Sequence, residues 1–157
     1  SMKELLEYRE KFLARLREVT VEFCDACRAF KKPFTAVDGE WTVHQIAFHV
    51  RGIEREVYGT RVRRTLKEDN PEFKNFDPET WMTDSYNRDE KLEAILEEFS
   101  KRMNEVCDLL GDMPQEGWSR LSRHEALGKG LTLQLWAERG LAYIEEHLKA
   151  LKKAQTL

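Results

Sequence analysis

Two histidines stand where they could bind a metal ion. His49 follows Ile46 by three residues and precedes Ile53 by four, so it lies on the apolar stripe of a helix. His147 has the same spacing to the apolar residues around it on a later helix. Helical bundles build metal sites from inward-facing side chains on facing helices, and neutral imidazole is a good ligand for zinc, nickel or iron. A lone buried histidine is usually an ordinary core residue, so it is the pair that indicates a site.

The other histidines and the cysteines are weaker candidates for functional residues. His44 falls in a capping turn, where we expect it to be exposed, and His124 falls in an irregular stretch as a loop residue or at a pocket mouth. Cys24 and Cys27 form a C-x-x-C pattern, but neither a strand nor a second such pair accompanies it, as a redox or zinc site would require. We interpret these thiols and Cys107 as small residues beside the core.

Two further groups of residues allow both a structural and a functional interpretation. The basic residues along the second predicted helix and just after its end are expected to form a solvated face, with a small anion-binding patch as the alternative. They are Arg51, Arg55, Arg61, Arg63, Arg64 and Lys67. The tryptophans are expected to close the ends of the core, with a pocket wall as the alternative. They are Trp41, Trp81, Trp118 and Trp136.

These side chains must be positioned by helices, because apolar residues recur every three or four positions through most of the chain. A capping box fits residues 42–45, and Asp77-Pro78 fits an N-cap followed by proline in the first helical turn. Gly111 stands where a glycine would end a helix. No stretch alternates as a strand does. The predicted helices span residues 2–30, 42–66, 78–82, 89–110 and 132–153.

Length, charge and cysteine count limit the classes of protein to which this chain can belong. A length of 157 residues fits one domain, residues 1–157, and a 35% charged fraction suits a bundle with solvated outer faces. The chain has 26 basic and 29 acidic residues. Nucleic-acid-binding proteins usually have an excess of basic residues, so nucleic-acid binding is not expected. We find neither a membrane-spanning apolar run nor the pattern of a signal peptide. The odd number of cysteines, 3, favours a reducing compartment, so we expect a cytoplasmic protein.

Several segments, taken in order, resemble the DinB-like (DinB/YfiT) superfamily. Residues 41–49, WTVHQIAFH, resemble the opening of its second helix, which begins with tryptophan and ends on a histidine. Pro71 and residues 76–81, FDPETW, resemble its crossover segment. Trp118, residues 130–133 and residues 146–148 continue the match. Each segment alone is weakly specific, but their order and spacing cover nearly the whole chain.

The resemblance implies an all-α fold, a four-helix bundle with up-down-down-up connectivity and a long crossover between its second and third helices. It also implies a divalent metal held by three histidines. His49 matches the first ligand and His147 the last, whereas Tyr143 occupies the middle position. This departure leaves two of the three histidines, whereas a catalytic zinc-type centre usually has three protein ligands. Glu56, seven residues after His49, could supply an oxygen ligand instead.

The resemblance also implies a choice of functions. One is a thiol-dependent transferase or isomerase, in which zinc, nickel or iron activates a low-molecular-weight thiol; another is a metal-dependent hydrolase. The alternative is a non-catalytic member that binds a small ligand or dimerises, and Tyr143 favours it. In each case a small molecule is the expected partner, and a homodimer is a further expectation for a bundle of this kind.

Overall fold

Helices account for most of the chain. The computed structural model describes residues 1–39 and 41–156. Each predicted helix is present, and its ends differ from the prediction by no more than three residues. The α-helices are α1 (Met2–Arg28), α2 (Val43–Ile53), α3 (Gly59–Lys67), α4 (Pro78–Ser85), α5 (Leu92–Asp112) and α6 (Leu133–Gln155). A π-helical turn, Glu54–Tyr58, joins α2 to α3, so these two helices and the turn form one continuous rod.

Local side chains fix where the helices begin. At α2 the Thr42 hydroxyl accepts from the Gln45 backbone N–H at 3.1 Å, and the Gln45 side chain accepts from the Thr42 N–H at 2.8 Å. This capping box confirms the prediction. Asp77 caps α4 by accepting from the two backbone N–H groups that follow Pro78. The prediction for Gly111 was wrong, because α5 runs through it and ends at Asp112.

The structure also contains short strands, which the sequence analysis did not predict. Strands β1 (Ala36–Asp38) and β2 (Trp41–Thr42) pair antiparallel beside the start of α2. Strands β3 (Glu72–Phe73), β4 (Leu121–His124) and β5 (Gly128–Thr132) form a small mixed sheet in the order β3-β4-β5. Strands this short cannot show an alternating pattern, and partners distant in sequence hold them.

The long helices pack as a four-helix bundle. Helix α1 lies against α5 and α6, and the rod formed by α2 and α3 also lies against α5 and α6. Edge-to-face aromatic pairs such as Phe23–Phe99, with ring centroids 5.2 Å apart, fill the core between them. Within the described residues, none of the helices has the length and apolar character needed to cross a membrane.

Several polar residues are more buried than the sequence analysis predicted. His44 was expected to be exposed, but it is 1% exposed, since Tyr86 and Glu90 of the crossover cover it and bond its ring nitrogens. Arg51, which forms a two-pronged ion pair with Glu90, and Arg61 are buried, so the expected solvated face was wrong for both. A crossover that folds back over a helix buries residues that helical spacing alone places outside.

His124 and Arg61 both lie beside the indole of Trp136. His124 was expected in a loop, but it is a buried residue of β4, and its Nδ1 accepts from two backbone N–H groups. The Arg61 guanidinium stands over the Trp136 ring, with Cζ 4.6 Å from its centroid. Both residues therefore support the end of the bundle formed by α3 and the small sheet.

The geometry of the π-helical turn predicts that a side chain at Gly59 destabilises the protein. A Cβ at this position would overlap the carboxylate of Glu54 and lie 2.7 Å from the Glu54 backbone oxygen. We expect Gly59→Ala to lower the free energy of unfolding by about 1–3 kcal/mol, as overpacking does. Urea denaturation followed by circular dichroism measures the change.

Gly111→Ala is the matched control, because it also adds one methyl group to a helical glycine. The added Cβ would meet only Leu13 at 4.0 Å, an ordinary contact. This change is expected to be neutral or to stabilise by up to about 1 kcal/mol, the gain in helix propensity. Equal effects of the two substitutions would show that the π-helical turn imposes no requirement for glycine.

Candidate functional site

His49, Tyr143 and His147 meet between α2 and α6. His147 follows Tyr143 by four positions, so both lie on one face of α6, with ring centroids 4.8 Å apart. The His49 ring lies 5.4 Å from the His147 ring and 5.6 Å from the Tyr143 ring. The Trp41 ring stands edge-on to His49 at 5.0 Å. The residues that match the superfamily's ligand positions are therefore neighbours in space.

The hydroxyl of Tyr143 is hydrogen-bonded to Nε2 of His49. Burial raises the pKa of the Tyr143 phenol, and Tyr58 and Glu146 add to this effect, so the hydroxyl keeps its proton at neutral pH. An unprotonated imidazole nitrogen is a good acceptor, which makes the phenol the donor in this pair. The remaining ring nitrogen, Nδ1 of His49, then carries the proton; it is buried and, within the described residues, has no hydrogen-bond partner.

His49 is held in its neutral form. It is 6% exposed, and burial, reinforced by the nearby His147, lowers its pKa from 6.5 to about 4. Burial disfavours the charged imidazolium because the surrounding apolar groups and aromatic rings solvate it poorly. At neutral pH the centre of the site is therefore an uncharged imidazole bonded to an uncharged phenol.

An open pocket of about 460 Å³ leads to the two histidines. Its walls are formed by Trp41, Ile46, His49 and His147, together with residues 77–79 at the start of α4. Asp77 and Glu79 thus bring exposed carboxylates close to the imidazoles. The sequence placed these two residues in the crossover but gave no sign that they belong to the site, since only the folded path of α4 brings them there.

Glu56 lies outside this pocket. It is exposed and pairs with Arg55 at 3.2 Å, and it does not line the pocket beside His49. Its neighbour Glu54 is the buried carboxylate, 5% exposed, and burial raises its pKa against the opposing effect of Arg102. The π-helical turn changes which residues face inward, and a regular helical spacing could not predict this exchange.

The cysteines and tryptophans have the structural roles that were expected, with one addition. Cys24, Cys27 and Cys107 are free and buried, and burial raises the pKa of each thiol, so none is a reactive thiolate. Two tryptophans, Trp118 and Trp136, are fully buried in the core. Trp41, in contrast, forms part of the pocket wall.

The residues present do not fit a three-ligand metal centre. Among the described residues, no group of three His, Cys, Asp or Glu side chains is arranged to hold a metal ion. Tyr143 stands where the third ligand would be, and its hydroxyl occupies Nε2 of His49. Because its pKa is raised, this phenol resists the ionisation that metal binding requires.

Comparisons with known proteins agree with the fold. A family model described as the DinB superfamily matches residues 4–154. Among solved structures the chain is similar to YfiT from Bacillus subtilis, described as "a probable metal-dependent hydrolase with an unusual four-helix bundle topology". The two share 19% sequence identity and a TM-score of 0.82, over 96% of this chain and 87% of that one. At this identity the likeness shows the fold alone. No curated protein matches the chain.

The lowered pKa of His49 predicts a pH dependence of stability. Above its ordinary pKa of 6.5 the residue is neutral in both the folded and unfolded states. Below that pH the unfolded chain binds a proton at His49, whereas the folded chain does not bind it until about pH 4. Stability is therefore lost as the pH falls from 6.5 to about 4. We expect His49 to account for up to about 3 kcal/mol of this loss.

Urea denaturation at several pH values between 6.5 and 4 measures this loss. The comparison is with His49→Gln, which can still accept from Tyr143 but does not titrate. All other titrating groups are common to both proteins, so the difference between the two pH curves isolates His49. Parallel curves would contradict the assignment of a buried neutral imidazole.

Proposed function

The chain belongs to the DinB superfamily, and on that premise we propose that it is a small-molecule-binding member in which Tyr143 replaces a metal ligand. The hydrogen bond from the Tyr143 hydroxyl to Nε2 of His49 carries this proposal. That nitrogen faces Tyr143, which occupies one of the positions that match the superfamily's ligands, so it is the nitrogen of His49 that a metal at this site would need. With the phenol bound to it, His49 and His147 form a polar end to the pocket.

The chemistry around the pocket supports a small organic ligand. The Trp41 ring offers an apolar, aromatic wall, and the imidazoles of His49 and His147 form a polar part of the lining beside it. The carboxylates of Asp77 and Glu79 add acceptors at the same pocket. Concave, partly apolar sites with a few converging polar groups are typical of small-molecule binding.

A metal-dependent activity is the second candidate. Its support is the 5.4 Å separation of the His49 and His147 rings, together with the description of the structural relative as a probable metal-dependent hydrolase. Under this candidate His49 and His147 would hold zinc, nickel or iron, and Tyr143 would have to release His49. A low-molecular-weight thiol as cosubstrate, and hence a transferase activity, stays a prediction of the resemblance.

We also propose the up-down-down-up connectivity for this chain, as one domain over residues 1–157. Ion pairs between α1 and α6 advance in the same direction along both helices, whereas those between α1 and α5 run in opposite directions. Ion pairs between α5 and the rod formed by α2, the π-helical turn and α3 again advance together. These pairings support a crossover, residues 68–91, that returns the chain to the other end of the bundle. A homodimer, a cytoplasmic location and the absence of nucleic-acid binding stay predictions.

Substitution of Tyr143 distinguishes the two candidates. Tyr143→His supplies a third imidazole, so we expect its zinc affinity to exceed that of the wild type by at least about 100-fold. Tyr143→Phe is the control, since it removes the hydroxyl without adding a ligand, and it should stay within about tenfold of the wild type. Competition with a chromogenic chelator measures all three affinities.

A different outcome would favour the metal-dependent candidate. If the wild type binds one equivalent of zinc as tightly as Tyr143→His, and His49→Ala abolishes that binding, Tyr143 does not close the metal site. The proposed function would then be wrong, whatever the pocket binds.

A further inference from the structure

A second cavity lies inside the bundle, next to Tyr143. It has a volume of about 30 Å³ and is lined by side chains of α1, α2, α3, α5 and α6. All of its walls are apolar except where Glu54, Tyr58 and Tyr143 reach it. Gly140 and Ala137 of α6 present little or no side chain to this space, which keeps it open. As it stands, the cavity has room for a water molecule or two.

The carboxylate of Glu54 lacks a hydrogen bond on one oxygen. Its Oε2 accepts from Nε of Arg102 at 3.0 Å, while Oε1 is buried and, in the part of the chain described, has no partner. The residue is 5% exposed and lines the cavity. A buried acceptor left unpaired is costly, and such groups in native proteins usually meet an ordered water or a ligand.

The backbone keeps this carboxylate in place. The Gly59 N–H donates to the Glu54 carbonyl across the π-helical turn, and the missing side chain of Gly59 leaves the room that the Glu54 carboxylate fills. π-Helical turns are frequent at functional sites because they re-aim a side chain that a regular helix would direct elsewhere. The backbone of the rod therefore fixes the position of the Glu54 carboxylate.

Tyr143 stands between the cavity and the open pocket. It lines the cavity, and its hydroxyl is bonded to His49, which lines the pocket. That hydrogen bond is the polar contact that holds its ring in the intervening wall. A rotation of the Tyr143 side chain away from His49 would join the 30 Å³ cavity to the 460 Å³ pocket.

We propose that the pocket and the cavity form one ligand site, which takes a neutral molecule with an unbranched apolar segment that ends in a hydrogen-bond donor such as a hydroxyl. The terminal hydroxyl enters the 30 Å³ cavity and donates to Oε1 of Glu54, while the apolar segment lies in the passage past Tyr143 and in the outer pocket. This inference rests on the proposed small-molecule function and names the class of ligand.

Electrostatics select a neutral donor. Arg102 already pairs with Glu54, so an ammonium group would bring an uncompensated positive charge into an apolar cavity. A carboxylate would face the Glu54 carboxylate and has no proton to donate at neutral pH. A hydroxyl satisfies the free oxygen and adds no charge.

Two isomers test the donor directly. 1-Hexanol and methyl pentyl ether have the same composition, but only the alcohol can donate to Glu54. We expect the wild-type protein to bind 1-hexanol at least about tenfold more tightly than the ether, and more tightly than hexylammonium or hexanoate, in titrations followed by NMR. Equal affinities for the alcohol and the ether would overturn the proposal, and this result needs no substituted protein.

Substitutions on α6 test the location. Ala137→Leu fills the cavity and should weaken 1-hexanol binding at least about tenfold, whereas Ala142→Leu, an exposed alanine on the same helix, should not change it. Tyr143→Phe frees the ring from His49 and should tighten binding several-fold. If Ala137→Leu has no effect while Trp41→Ala abolishes binding, the ligand occupies the outer pocket alone. That result would overturn this inference and leave the proposed function standing.

Discussion

The hydrogen bond between Tyr143 and His49 links two helices that meet at the site, and much of the local structure depends on it. It gives a buried imidazole one partner, fixes the ring of Tyr143 between the open pocket and the interior cavity, and occupies the nitrogen that a metal would need. The two groups are compatible only in their neutral forms, and burial favours that form for both. One contact thus sets the charge, the shape and the metal-binding capacity of the site.

Local structure at the start of the rod formed by α2 and α3, and within it, positions the side chains of the site. The capping box at Thr42 fixes where α2 begins and therefore the depth at which His49 enters the bundle. The crossover then folds over that end, and Tyr86 and Glu90 hold the buried His44 from outside. Further along the rod, the π-helical turn changes the inward face, so that Glu54 reaches the core.

Periodicity and spacing were enough to predict the helices, because an apolar stripe depends on residues within one helix. The helical bundle and the departure at Tyr143 were predicted from the resemblance. Contacts between distant segments could not be predicted this way. His44 is buried by a crossover whose path the helical spacing does not encode, and Arg61 is buried against an indole on another helix. The inward turn of Glu54 depends on one extra residue in a helical turn, which no apolar pattern reveals. The short strands were missed for a related reason: their pairing is set by where the helices bring them.

The most direct test of this account is a long-range ¹H–¹⁵N NMR spectrum of the His49 imidazole at neutral pH, recorded before and after addition of one equivalent of zinc. We expect a neutral ring that is protonated at Nδ1, with Nε2 accepting from Tyr143, and a spectrum that zinc leaves unchanged. A shift of the Nε2 resonance to that of a metal-bound nitrogen on addition of zinc would contradict it. Tyr143 would then be a displaceable neighbour of a working metal centre.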